Sequence, residues 1–441
     1  MKILSGAILL AGASLLVSCR QMPKMDSDIL ASHILAQQAI YLDDKTPKYA
    51  KLVSRSFGIS PREFLALQKH IVQKRKRTLL EVDARAAMKR YIKELGGKRD
   101  QGSMREYITQ LLVPFMQKKA CGEGVQSDID EAVVQMFGQF FPEARDALGE
   151  LVMSIERYYA GGSHNADYLK AVNDALKRRG FFMLLDLGNA ANVLTIADSI
   201  VEPLPYSDGQ WLSVLALRRE VPGFLPSVNG YSTLGSEEVV VLLDMVEFQA
   251  EEVLAELEEG GAFEKFADPR HEQARRRLGI PIGTDEANEL YRALLRKDFG
   301  NRPKAYVTRA LSMEVALHEA KHRVDNIVMP EMTLNYDLET SAYLTAAMFA
   351  AAPHYGLLSA ILHLEGYCYR YGDKPLVKAL RSLWKLAQQD AAGELSEAEL
   401  RDGLYQTYLA YVTIREGYYL PDLEKFEDEI ASRCWKYFAR E

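Results

Sequence analysis

The strongest constraint on how this chain can fold is a change of texture near Gly180. From about residue 25 to 180 the pattern is helical. Ser60-Pro61-Arg62-Glu63 reads as a capping box with proline at the first helical position, and it opens a long helix that runs towards Gly96-Gly97. Ser127-Asp128-Ile129-Asp130 and Phe141-Pro142-Glu143 open further helices, and Gly161-Gly162 closes one. After Gly180, the segments Phe181 to Leu187, Asn192 to Val201 and Gln210 to Glu220 are rich in β-branched and aromatic residues. Turn clusters such as Pro203-Leu204-Pro205-Tyr206-Ser207-Asp208-Gly209 separate them. They predict a small, mostly antiparallel sheet over about 181–245. Val239 to Leu243 is either a further strand or the start of a helix, which periodicity alone does not separate. Helical texture returns from about Thr284. Pro303 to Val328 reads as one long helix stopped by Pro330, Leu338 to Ala351 as a second, and at least three more follow over 354–441. The expected class is α+β and mostly helical, and 441 residues are enough for two or three structural units.

The N-terminus reads as an export leader. Lys2 is followed by an uncharged stretch from Ile3 to Leu16, too short to span a bilayer comfortably as a mature helix. The stretch ends in Leu16-Val17-Ser18-Cys19, which resembles the lipobox of bacterial lipoproteins. The resemblance implies a signal peptide over 1–18, lipid attachment at Cys19 and a tether over 19–24. At about 0.8 kcal/mol per buried methylene, such lipid holds a protein on a membrane without a transmembrane helix. It places the chain in the cell envelope, and Arg20 after the cysteine, where aspartate would favour inner-membrane retention, favours the outer membrane in a host with two membranes.

With the leader removed, Lys+Arg falls from 54 to 53 against 61 Asp+Glu, so the net charge moves from -7 to -8. An acidic protein is a poor general nucleic-acid binder, and no nucleic-acid partner is expected. The basic cluster Lys74-Arg75-Lys76-Arg77 lies in a helical pattern and reads as a solvated face, with a role near anionic lipid as the alternative. Cys121, Cys368 and Cys434 would remain after processing. An odd number cannot all pair within one chain, and their spacing matches neither a zinc knuckle nor a CxxC redox site.

Chemistry concentrates in His318-Glu319-Ala320-Lys321-His322. Histidines at i and i+4 share one helix face about a turn apart and can ligate one tetrahedral zinc. Glu319, rotated about 100° from His318, can reach a water on that metal as general base. Ala316, Leu317, Ala320 and Val324 offer apolar flanks for packing. There is no HExxHxxGxxH extension, so the metzincin pattern is absent. Glu339, seventeen residues after His322, opens Glu339-Thr340-Ser341-Ala342 near the start of the next helix.

This arrangement resembles the gluzincin group of zinc peptidases over about 30 residues, His318 to roughly Ala347. The resemblance implies a zincin-like domain over 181–441, with catalytic helices at about 303–351, following the helical module of 25–180. It also implies that Glu339 completes a two-histidine, one-carboxylate zinc site. Ser341, Ala342, Ala346 and Ala347 are small enough to let the two helices approach closely. Glu331 and Asp337 are rival ligands, the first too close to Pro330 to fold back easily and the second shorter. In the thermolysin pattern an aspartate one turn after the ligand glutamate orients a zinc histidine. That place holds Tyr343 here, and Asp325, three residues after His322, is the substitute candidate. Tyr336, Tyr343, His354 and His363 are candidate oxyanion donors, none of them distinguished.

Two functional classes follow. The first is a membrane-anchored zinc-dependent peptidase acting on peptide or protein substrates outside the cytoplasm. The second is a non-catalytic envelope lipoprotein that binds or assembles partners around a degenerate or structural metal site. Glu319 favours the first, because a structural site needs no general base.

Overall fold

A computed structural model of the chain describes residues 25–36, 60, 62–63, 77–122, 127–188, 190–207, 210–219, 229–232, 238–258, 266, 269–328, 335–371, 374–414 and 423–438. The leader, Cys19, Lys74 to Lys76 and Glu331 lie outside the described residues. The fold is mostly helical α+β, with one small sheet. Two compact units divide the chain: residues 1–195 with 219–226, and residues 196–218 with 227–441. The first unit thus runs past Gly180 and includes the opening of the sheet segment.

In the first unit the Ser60/Glu63 capping box is formed reciprocally. The Ser60 N–H donates to Glu63 Oε2 at 2.8 Å, and the Glu63 N–H donates to Ser60 Oγ at 3.1 Å. The helices are α1 (Ser27–Ala36), α2 (Arg77–Leu95), α3 (Gln101–Tyr107), α4 (Val113–Ala120), α5 (Ser127–Phe140), α6 (Arg145–Tyr159) and α7 (Ala166–Lys177). A five-residue π-turn, Ile108–Leu112, joins α3 to α4 just ahead of Pro114. α6 ends at Gly161, whose φ of +90° only glycine adopts without strain. Apolar faces of these helices meet in one core, where Phe137 stacks on Phe141 at 4.7 Å between centroids.

The strands are β1 (Phe181–Asp186), β2 (Ala190–Ser207), β3 (Gln210–Arg218), β4 (Gly230–Ser232) and β5 (Glu238–Leu242), in sheet order β1-β2-β3-β5-β4. β1 pairs antiparallel with the start of β2, and β4 pairs antiparallel with β5. The sheet is mixed, however, and not antiparallel throughout: β3 and β5 run parallel, with Ser213 opposite Glu238 and Leu217 opposite Leu242. The chain leaves β3, returns through β4 and enters β5 in the direction of β3. The ambiguous segment at Val239 is both of the alternatives in succession. Its valines are buried as strand β5, and the chain turns directly into α8 (Leu243–Glu258).

The remaining helices of the second unit are α9 (Pro269–Arg277), α10 (Thr284–Phe299), α11 (Lys304–Val328), α12 (Asn335–Phe349), α13 (Pro353–Tyr371), α14 (Lys374–Ala391), α15 (Glu397–Ile414), α16 (Leu423–Phe426) and α17 (Ser432–Phe438). α11 packs on β4, β5, α8 and α12. Its flanks Ala316, Leu317, Ala320 and Val324 are all buried in the core of this unit. Small side chains bring α12 close to its neighbours. A Cβ placed on Gly356 of α13 would lie 2.6 Å from Ala347 Cα. A fully buried carboxylate, Glu365, holds α13 in place. It accepts from Arg275 at 3.1 Å and from the Trp384 indole N–H at 2.9 Å, tying α9 and α14 to α13. Cys368 and Cys434 are buried, as expected of small core residues, and Cys121 is half-buried; none of the three forms a disulfide among the described residues.

Candidate metal centre

One turn of α11 and the first turns of α12 build the site. His318 and His322 extend from the same face of α11 with ring planes at 89° and their Nε2 atoms 3.0 Å apart. Glu339 on α12 closes the triangle, with Oε2 3.3 Å from His318 Nε2 and Oε1 3.5 Å from His322 Nε2. One ligand atom from each residue lies within 4.8 Å of the others, and all three side chains are half-buried. Ligand atoms about 2.1 Å from a tetrahedral zinc stand roughly 3.4 Å from one another, so these separations fit one such ion, as do the donor types.

Electrostatics within the trio agree with that use. Burial alone would raise the Glu339 pKa, but hydrogen bonds from His318 and then His322 hold its carboxyl well below the usual range. It is therefore anionic, the form that ligates a dication. His322 is raised: burial opposes its charge, but the hydrogen bond to Glu339 and the negative charges of Glu339, Glu319 and Asp325 together outweigh the burial.

Of the trio, His318 and Glu339 open into a cavity of about 410 Å³ built wholly within the second unit. Glu319 lines it beside Val315, His318 and Glu339. Strand β4 forms one wall at Asn229 and Gly230, where the backbone runs directly against Glu319. On the α12–α13 side, the Tyr343 ring lies 4.3 Å from that of His318, and the Tyr343 hydroxyl is 2.6 Å from His363 Nε2. His363 stands at the mouth, where desolvation and then the charge of His318 push its pKa down to about 4, so it is neutral at pH 7. Tyr343 is raised well above 10, chiefly by burial, and keeps its proton.

The structure thus brings His318, Glu319, His322 and Glu339 together and sends other candidates elsewhere. Asp325 does not orient a histidine. Lys321, one turn before it on α11, captures the carboxylate in an ion pair in which neither side chain has exposed surface. Asp337 is buried and accepts from the Tyr411 hydroxyl. His354 is held between Asp298 and Asp390, and the Tyr336 ring lies tilted against that of Tyr371. Neither of them lines the cavity, whereas Tyr343 and His363 do.

Sequence reasoning did not single out Asn229, Gln249, Glu314 or Tyr367. Asn229 donates to Gln249, and Gln249 to the Tyr355 hydroxyl, forming a polar chain along one wall. Glu314 had the one usable signal: it precedes His318 by four residues and so shares its helix face. The chain matches no protein-family model, no curated protein and no solved structure.

Proposed function

We propose that this chain is a zinc-dependent peptidase, exported and held on a membrane through lipid on Cys19. The observation that carries the peptidase reading is the convergence of two imidazole nitrogens and one carboxylate on a single point, with Glu319 in the same cavity. Its nearest resemblance remains the gluzincin pattern, HExxH followed by a glutamate on the next helix. His318, His322 and Glu339 would hold the metal. Zinc, when bound, supplies Lewis acidity that polarises a substrate carbonyl and makes water easier to deprotonate.

The chain's own residues do the rest. Glu319, half-buried beside the ligands, accepts a proton from the attacking water and returns it to the leaving amine. Protonated Tyr343 and neutral His363 line the same cavity and can serve as hydrogen-bond donors for a carbonyl oxygen that gains negative charge. A peptide substrate is favoured by β4, the last strand of the sheet, which borders the cavity beside Glu319 and can accept an extended chain as an added strand.

The direct test pairs zinc analysis with hydrolysis of a peptide library. The expected result is one zinc per chain and cleavage that disappears on chelation and returns with zinc. Full zinc occupancy in a His318→Ala/His322→Ala variant would overturn the site. A zinc-loaded wild type that cleaves nothing in a broad library would favour the binding-protein alternative.

A further inference from the structure

We propose that the exposed face of α14 docks on an anionic phospholipid surface. The chain carries a net charge of -7, yet every charged residue lining this face is basic. Lys374, Lys378, Arg381 and Lys385 recur at intervals of four, three and four residues, which places them in one stripe along the helix. All four are exposed, while Leu376, Leu380, Leu383 and Trp384 on the other side are buried. A shallow depression of about 420 Å³ runs between the cations.

The stripe widens at its N-terminal end. Arg381 donates to the Leu278 carbonyl at the end of α9, and Arg277 donates to the Tyr369 carbonyl near the end of α13 at 3.3 Å, beside exposed Arg370. Among the described residues, none of these six cations pairs with a carboxylate. Asp373, next to Lys374, lies outside them.

Unpaired like charges repel one another, and a surface of many phosphates relieves that repulsion. Each lysine or arginine near an anionic leaflet contributes on the order of 1 kcal/mol. A second feature selects a membrane over a soluble polyanion. Tyr371, 57% exposed and adjacent to Arg370, places an amphipathic ring beside the cations, the combination found at membrane–water interfaces. Tyr371 also stacks towards Tyr367, a residue of the cavity wall, so the docking face and the candidate centre meet on α13. The lipid reading of Cys19 would deliver this face to a bilayer, but the two are tested apart.

The experiment uses the mature chain, residues 19–441, carrying Cys19→Ser, so that neither leader nor lipid holds it to a bilayer. Flotation is measured with neutral phosphatidylcholine vesicles and with vesicles containing about 30% phosphatidylglycerol. The expected result is binding to the anionic vesicles alone. Half-molar salt or the Lys374→Glu/Lys378→Glu/Arg381→Glu/Lys385→Glu variant should weaken it at least about tenfold. Reversing exposed Lys89, Lys93, Arg145 and Arg178 should leave it near wild type. If the fourfold variant fails to fold by circular dichroism, Lys378→Gln/Lys385→Gln should show a smaller loss in the same direction. Absence of binding to anionic vesicles at low salt would overturn the proposal. So would equal loss in the control variant, or duplex DNA or polyphosphate bound while vesicles are not.

Discussion

Gly230 and Glu319 are in contact across the boundary between sheet and helix. A Cβ built on Gly230 would lie 2.8 Å from Glu319 Cγ, 2.3 Å from Val315 Cγ1 and 3.1 Å from the Val240 carbonyl oxygen. The carbonyl belongs to the paired strand β5 and cannot swing aside, so the helix side must give. Gly230→Ala is therefore expected to displace Glu319. Overpacking of this kind costs about 1–3 kcal/mol of stability. Misplacing the base by a fraction of an ångström should lower kcat/KM roughly ten- to a hundredfold. Thermal melting and peptide hydrolysis check the two halves separately, and a variant as stable as wild type would show that β4 is not pressed on α11.

Lys321 and Asp325 make a second prediction. Burial disfavours the Lys321 ammonium, but the attraction of Asp325 and then Tyr408 raises its pKa, so the ammonium stays charged. Removing one partner leaves a buried charge alone, and Asp325→Asn should cost about 3–5 kcal/mol. Lys321→Met/Asp325→Leu, which removes both charges, should recover most of that. Urea denaturation of the three proteins measures it. A single variant as stable as wild type would show that the pair does not hold α11. Zinc content of folded Asp325→Asn should stay near wild type, because Asp325 serves the lysine and not a ring nitrogen.

What the sequence revealed of the site was its local part. His318, Glu319 and His322 sit within one helical turn, and spacing alone decides that they share a face. Glu339 was accessible through the resemblance to the gluzincin pattern, and the small residues after it allow the close helix packing that pattern needs. Asp325 was misread because its spacing from His322 ignored a nearer partner at i-4, and no pattern showed that Lys321 would be buried. The parallel pairing of β3 with β5 depends on a reversal of the chain through β4. Three residues, Gly230–Ser232, carry no periodicity by which to find that strand. Asn229, Gln249 and Tyr367 reach the cavity from three separate elements, an assembly set by tertiary packing that no local spacing encodes.

The clamp around His354 makes stability depend on pH. Its Nδ1 is 2.6 Å from Asp298, its Nε2 is 3.3 Å from Asp390, and Asp298 also accepts from the Tyr355 N–H at 2.8 Å. Burial works against the imidazolium, but hydrogen bonds to Asp298 and then Asp390 raise its pKa from 6.5 to about 9. A histidine raised in the folded state stabilises fully below the unfolded value, and the contribution is lost as pH climbs through the folded one. Melting temperature should therefore fall between about pH 6.5 and 9, by a loss of no more than about 3 kcal/mol. Asp390 is shifted the other way: burial would raise it, but His354 and Lys297 lower it, so its share is lost only in acid. His354→Gln should flatten the alkaline limb, and an unchanged slope in that variant would place the pH dependence elsewhere.

In the proposed mechanism Glu319 and Glu339 share a chemistry but differ in role, one as general base and the other as zinc ligand, and the same substitution should separate them. Glu339 stands within 3.5 Å of both histidine nitrogens, and as a ligand it must carry negative charge. Glutamine keeps its shape without the charge, so Glu339→Gln should lose both zinc and activity. Glu319 lies in the cavity next to the ligands without completing the trio. Glu319→Gln should keep zinc content and melting temperature near wild type, because nothing that binds the ion has changed. An amide cannot accept the water's proton at neutral pH, and loss of a general base typically costs 10²- to 10⁴-fold, or about 3 to 5 kcal/mol of barrier. Activity should collapse while structure and metal survive. Zinc analysis, melting and peptide hydrolysis of the two variants side by side decide the matter. Wild-type turnover in zinc-loaded Glu319→Gln would remove α11 from the chemistry. Equal zinc loss in both variants would make Glu319 a ligand and leave the base to be found among the other residues of the cavity.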